Sequence, residues 1–128
     1  MNSSLRKITL YGIPNCDTVK KSRVWMQEQH PDFVFHDFKK QGLERATIEQ
    51  WLEHLSLDVL INRKGTSWRA LSDEQKQSAT ETEAAIALIL GNPSLVKRPV
   101  LQISDAQGIA HVSVGFTPDT FNTIFSRF

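Results

Sequence analysis

Lys7-Ile-Thr-Leu-Tyr-Gly-Ile-Pro-Asn-Cys-Asp-Thr-Val-Lys-Lys21 is the stretch that decides the fold of this chain. Its first five residues form a β-type run that Gly12-Ile-Pro14 stops. The spacing from Asp17 to Gln29 then predicts a helix with Val19, Ser22 and Met26 on one face. Phe33-Val-Phe-His-Asp-Phe38 reads as the next strand, ended by Gln41-Gly42. Being aromatic-rich and apolar on both faces, it is predicted to lie inside a sheet covered from both sides. The opening unit is thus β-α-β, and such a crossover makes its two strands parallel neighbours or near neighbours.

Beyond this opening the periodicity changes. From Leu43 to Pro93 the pattern is helical: Ile48, Trp51, Leu52 and Leu55 fall at i, i+3, i+4 and i+7. Ser72-Asp-Glu-Gln75 has capping-box spacing, and Ala84, Ala85, Leu88 and Ile89 mark a helix closed by Gly91 and Pro93. Strand character returns in Val100-Leu-Gln-Ile103. A turn at Asp105-Ala-Gln-Gly108 and the alternating Ala110-His-Val-Ser-Val114 complete a β-hairpin. A last helix carries Phe121, Ile124, Phe125 and Phe128 on one face. The order is β-α-β, helical block, β-β-α: an α/β chain in which residues 1–128 read as one domain with a helical insertion at about 43–93.

Composition narrows what such a chain does. With 128 residues there is room for one core, and a net charge of +1 gives no global field toward nucleic acid or an anionic membrane. The N-terminal stretch carries no secretory pattern, and the longest apolar run, Ala84 to Leu90, is far short of the ~20 residues of a membrane span. The single cysteine excludes an internal disulfide, a cysteine-rich zinc site and a C-x-x-C dithiol cycle. An unpaired thiol and no secretory signal together lead to the expectation of a reducing cytoplasm.

That cysteine, Cys16, is predicted at the first turn of the helix that begins near Asp17. N–H groups there have no intrahelical partner, and the helix dipole favours an anion, so a thiolate is favoured. Lys20, Lys21 and Arg23 add positive charge within two turns. A buried cysteine acting as a small hydrophobe is the commoner fate of a lone thiol, but Asn15, Asp17 and Thr18 belong to a wet loop-to-helix junction. Two further junctions are basic: Asn62-Arg-Lys-Gly-Thr-Ser67 holds Arg63 and Lys64, and Lys97-Arg98 precede Pro99. Seven of the fifteen Lys and Arg thus stand in three junctions, and a fold that joins them makes an anion site around a thiolate. Arginine suits such a site, because its planar fork binds carboxylates and oxyanions bidentately, and Arg98 stands out because the following proline keeps it extended. Lys64 and Lys97 read as solvated loop residues. His30, His36, His54 and His111 share no metal-ligand spacing, and the three tryptophans read as core or groove aromatics. A phosphatase-type Cys-x5-Arg loop fails by one residue, since Ser22 stands sixth after Cys16 and Arg23 seventh.

Three segments then carry a likeness: Leu10-Tyr-Gly-Ile-Pro-Asn-Cys-Asp-Thr-Val-Lys-Lys21, Leu60-Ile-Asn-Arg-Lys-Gly-Thr-Ser-Trp68 and Asn92-Pro-Ser-Leu-Val-Lys-Arg-Pro99. In this order they resemble the arsenate reductase (ArsC) family, in particular its YffB-like branch, related also to the Spx regulators. The resemblance implies a thioredoxin-like fold with a helical insertion, a redox-active Cys16, an anion-binding Arg98 and a cis Pro99 beside the cysteine. It also implies glutathione as co-substrate and glutaredoxin as a partner. The sequence departs from arsenate reductases proper at two expected arginines. One position is filled by Asn62, with Arg63 next to it, and the other falls near Gly115-Phe116. The expected activity is therefore that of a glutathione-dependent thiol reductase. Arsenate reduction, and a non-catalytic Spx-like binding of RNA polymerase, stand as alternatives. Expected around the sulfur of Cys16 are Asn15, Lys20, Lys21, Arg63, Arg98 and Pro99, with no metal, nucleic acid or membrane involved.

Overall fold

A computed structural model describes residues 6–128, which divide into two compact units: one of residues 6–37 with Arg98–Phe128, the other Phe38–Lys97. The first is built on a four-stranded sheet. Strands β1 (Lys7–Gly12), β2 (Val34–Asp37), β3 (Val100–Asp105) and β4 (Gly108–Val114) lie in the order β2-β1-β3-β4. The first pair is parallel and the others are antiparallel. Helix α1 (Asp17–Gln29) makes the crossover from β1 to β2, and a C-terminal helix (Pro118–Phe125) follows β4.

The central strands β1 and β3 are paired along both edges, and their apolar residues Ile8, Leu10, Val100, Leu101 and Ile103 are buried. The register sets Ile8 opposite Ile103 and Leu10 opposite Leu101. These four form one core with Met26 of α1 and Phe121 of the C-terminal helix. Each such side chain contributes about 1.5–3 kcal/mol on burial. The predicted span of α1 agrees with the structure, as does its buried face of Val19, Ser22 and Met26. The hairpin turns at Ala106-Gln107, where Asp105 Oδ1 accepts from the Gln107 N–H at 2.8 Å and Gly108 takes a positive φ of 121°.

The second strand departs from its expected place. Far from being interior, β2 is an edge strand, with Val34 48% exposed, and it ends at Asp37 instead of Phe38. Its partner explains the early end. Asp37 pairs with Gly12, the last residue of β1, and Ile13-Pro14 turn away, so Phe38 has no strand to follow and starts a helical turn. The aromatic content of β2 comes from single contacts: Phe35 lies under the Arg23 guanidinium at 4.0 Å, and His36 against Tyr11 at 4.8 Å.

The second unit is wider than the expected insertion at both ends and contains short helices: α2 (Phe38–Gln41), α3 (Arg45–Leu52), α4 (Leu57–Leu60), α5 (Thr66–Arg69), α6 (Asp73–Ser78) and α7 (Thr82–Gly91). The C-terminal helix is therefore α8. Caps define several of them. Ser56 starts α4, and Ser72 starts α6 with the full capping box to Gln75. The side chain of Asn92 caps the short 3-10 turn Pro93–Leu95. Ile48, Trp51, Leu60, Ala85, Ile86, Ile89 and Leu95 are fully buried or nearly so. Leu55 lies beyond the end of α3, Gly91 is the last residue inside α7, and Phe128 lies beyond α8, where it is 39% exposed.

Candidate functional site

Cys16 is the N-cap residue of α1, with extended backbone (φ −84°, ψ 127°). Its N–H donates to Ile13 O at 3.2 Å and its carbonyl accepts from the Lys20 N–H at 2.9 Å, so the residue is fixed by its main chain at both sides. The side chain makes no capping hydrogen bond, and the residue is half-buried. A thiol is a poor cap compared with Ser, Thr, Asp or Asn, so the first-turn N–H groups and the sulfur both remain available to a bound group. Gly12 sets the approach of strand to helix, since a Cβ placed on it would lie 2.8 Å from Val19 Cγ2.

The sheet register brings the third motif to this same end. Tyr11 pairs with Val100, so Arg98-Pro99 enters β3 beside the exit of β1 that leads to Asn15 and Cys16. The Arg98–Pro99 peptide is cis, as the resemblance implies. Pro99 O accepts from the Gly115 N–H at 2.9 Å, and Gly115 has a φ of +86°. Glycine suits that left-handed turn, and no basic residue stands at Gly115-Phe116.

Lys20 and Lys21 are exposed on α1 and flank an open apolar groove of about 460 Å³ formed with Val24, Trp25, Glu28, Phe116 and Pro118. The sequence reading missed this groove, because Val24 and Phe116 become neighbours only through the fold; the one signal available was a valine on the otherwise polar face of α1, four residues after Lys20.

The middle motif belongs to the helical unit. Ile61 bridges Val96, Asn62 N donates to Leu95 O and Lys97 N to Leu60 O, both at 2.8 Å, which joins two of the three basic junctions. Asn62 serves its own turn, its Oδ1 accepting from the Lys64 N–H at 3.2 Å. Arg63 is engaged locally as well. Its Nη2 lies 2.6 Å from Asp58 Oδ1, and its guanidinium is 5.4 Å from the centre of the Trp68 ring. Among the described residues no group of His, Cys, Asp and Glu could hold a metal ion, and no helix is long and apolar enough to cross a membrane.

A β-α-β-β-α sheet unit with one thiol at the start of its first helix and a cis-proline at the same sheet end defines a thioredoxin-like fold with an inserted helical unit. The ArsC family model matches residues 11–124, and the chain belongs to the ArsC family. The solved structure of a YffB protein is 38% identical, covering 91% of this chain and 97% of that one, with a TM-score of 0.79. An ArsC-related protein from Brucella melitensis is 39% identical over 93% of this chain and 94% of its own, with a TM-score of 0.68. The global transcriptional regulator Spx of Streptococcus pyogenes is 28% identical, over 94% of this chain and 86% of its own.

Proposed function

We propose that the protein is a monothiol oxidoreductase that resolves glutathione mixed disulfides through the Cys16 thiolate. The observation that supports this reading is the position of Cys16: the sole cysteine, half-buried at the start of α1, with a side chain its own helix does not use. Cys16 stands at the N-terminus of α1, where first-turn N–H groups lack intrahelical partners, and Lys20 and Lys21 follow one turn along the helix. Cys16 Sγ attacks the glutathionyl sulfur of a mixed disulfide. The S–S bond breaks, and the substrate leaves as a thiolate that takes a proton from water. A second glutathione thiolate then attacks the Cys16-bound glutathionyl sulfur, which frees Cys16 and releases glutathione disulfide. The substrate sulfur is reduced to a thiol and the incoming glutathione is oxidised, while the first glutathionyl sulfur stays at the disulfide level throughout. Arg98 holds a glutathione carboxylate through its planar fork, with Asn15 and Pro99 bordering the sulfur. A glutaredoxin can replace the second glutathione. The reaction suits a cytoplasm that keeps glutathione reduced.

The turn-forming role of Asn62 and the lack of a basic residue at Gly115-Phe116 weigh against arsenate as the substrate, because the resemblance to arsenate reductases implies arginines at or near these positions. The likeness to Spx favours a second reading, a regulator that binds RNA polymerase without catalysis. The deciding experiment follows NADPH oxidation by glutathione reductase with the mixed disulfide of glutathione and 2-mercaptoethanol. Wild-type turnover that Cys16→Ser abolishes, with arsenate-dependent oxidation at background, is expected. No turnover, together with RNA polymerase pull-down that survives Cys16→Ser, would replace this reading with the second.

A further inference from the structure

The groove beside α1 is chemically distinct from the residues proposed to hold a glutathione carboxylate: the lining between its charged rims is Val24, Trp25, Phe116 and Pro118. Val24 is 60% exposed, although a large apolar side chain at that position gains nothing from water. Lys20, Val24 and Glu28 follow Cys16 at four-residue steps, about one turn each, so the groove floor runs along α1 from the turn after Cys16. Its opposite wall starts at Phe116, next to Gly115, which is tied to Pro99. Trp25 is held from behind by Phe121 at 5.5 Å and Phe125 at 5.8 Å, which makes the floor rigid.

We infer that this groove docks the polypeptide on the far side of the disulfide that Cys16 attacks, and that it selects an extended segment carrying an acidic residue near its cysteine and an apolar residue beyond. This deepens the proposed function and rests on it. Charge complementarity identifies the occupant: Lys20 and Lys21 stand at the end nearer Cys16, neither ion-paired among the described residues, while Glu28 stands at the far end. Asp17, on the first turn, leaves the local balance positive. From Lys20 to Glu28 is ~12 Å along the helix, the span of about four extended residues. A volume of about 460 Å³ takes one or two large side chains.

The test compares two glutathionylated peptides, one with Asp-Asp and Phe-Leu flanking the cysteine, in both orders, and one with Ser-Gly in place of Phe-Leu. The mixed disulfide of glutathione and 2-mercaptoethanol serves as the reference. The acidic, apolar peptide is expected to show at least about tenfold higher kcat/KM, and Val24→Lys to remove that preference while leaving turnover of the reference unchanged. Equal treatment of both peptides, or a preference that survives Val24→Lys and Val24→Ser, would overturn the inference. If the reference itself is not turned over, the proposed chemistry fails. Fluorescence anisotropy of the labelled peptide with serine replacing its cysteine, added to Cys16→Ser protein, then decides the groove separately. Binding weakened at least about tenfold by Val24→Lys supports the groove, and absence of binding overturns it. Sedimentation showing a dimer that Val24→Lys dissociates would assign the groove to a second copy of this chain and overturn the peptide assignment.

Discussion

The sheet unit and the helical unit reach order by different means. In the sheet unit Ile8, Leu10, Leu101, Ile103 and Phe121 come from strands and a helix about a hundred residues apart in sequence, and the register between β1 and β3 brings the cysteine loop to Arg98-Pro99. In the helical unit every helix has four to ten residues, too short to persist alone; α4 and α6 start at side-chain caps, and buried side chains such as Trp51 and Ile89 hold the unit together. The reactive position thus stands on the part specified by distant contacts. The helical unit offers a loop whose cation, Arg63, is already paired with Asp58.

The largest expected effects test whether the two units are independent in stability. Phe121→Ala and Trp51→Ala each remove a fully buried aromatic, from the sheet and helical units respectively, and each is expected to cost about 3–5 kcal/mol. With 5-fluorotryptophan incorporated, Trp25 reports on the sheet unit and Trp68 on the helical unit during urea unfolding followed by ¹⁹F NMR. Each substitution is expected to shift the midpoint of its own unit's reporter more. Equal shifts of both reporters in both variants would break the comparison and make the chain one cooperative unit.

Glycines give a finer contrast. At Gly12 an added Cβ would meet Val19 Cγ2 at 2.8 Å and Cγ1 at 3.1 Å, in the packed seam that positions Cys16. Gly12→Ala is expected to cost about 1–3 kcal/mol, and in the Val19→Ala background it is expected to cost much less. At Gly65 the added Cβ would meet Asn62 Nδ2 at 2.9 Å, the end of a half-buried side chain that can move aside, and φ there is an ordinary −85°. Gly65→Ala is expected to cost less than Gly12→Ala in chemical denaturation. The reverse order would place the tighter seam in the helical unit.

What was legible in the sequence follows the same division. The span of α1, the capping box at Ser72 and the hairpin were readable, because periodicity, cap chemistry and turn residues act over a few neighbours. The edge position of β2 was not. Phe33 to Phe38 looks like a core strand, and only the end of β1 at Gly12 determines that pairing stops at Asp37. Of the candidate site, Cys16 at the helix start and the cis Arg98–Pro99 peptide were legible, the second through family likeness. The engagement of Arg63 with Asp58 and Trp68, and the groove between α1 and Phe116, depend on tertiary placement that no short window contains.

A smaller effect tests the weight of local caps in the helical unit. Ser72 Oγ accepts from the Gln75 N–H at 3.0 Å, and Gln75 Oε1 accepts from the Ser72 N–H at 2.9 Å. Ser72→Ala is expected to cost about 1 kcal/mol, read as a shift of the urea midpoint at Trp68. A loss confined to that reporter sharpens the contrast, whereas no measurable loss would mean that α6 is held by packing alone.

The smallest effect separates the units by pH. The ion pairs of the helical unit, Arg45 with Glu49 and Glu83 and Arg63 with Asp58, lie at exposed side chains, where such pairs contribute little to stability. The sheet unit holds His30 stacked on Phe125 at 4.0 Å, and burial, reinforced by Arg6 and opposed by Asp32, pulls its pKa below the ordinary 6.5. The folded form therefore keeps His30 neutral where the unfolded chain already takes a proton. Because the unfolded state binds more protons, stability falls as the pH drops through 6.5, and the loss levels off once folded His30 also protonates. His30→Phe preserves an aromatic partner for Phe125 and removes the titration. Between pH 7.5 and 5.5 the wild-type Trp25 midpoint is expected to fall more than that of His30→Phe, with the Trp68 midpoint changing equally in both proteins. A Trp25 midpoint that falls as steeply in the variant would place the acid sensitivity of the sheet unit in groups other than His30.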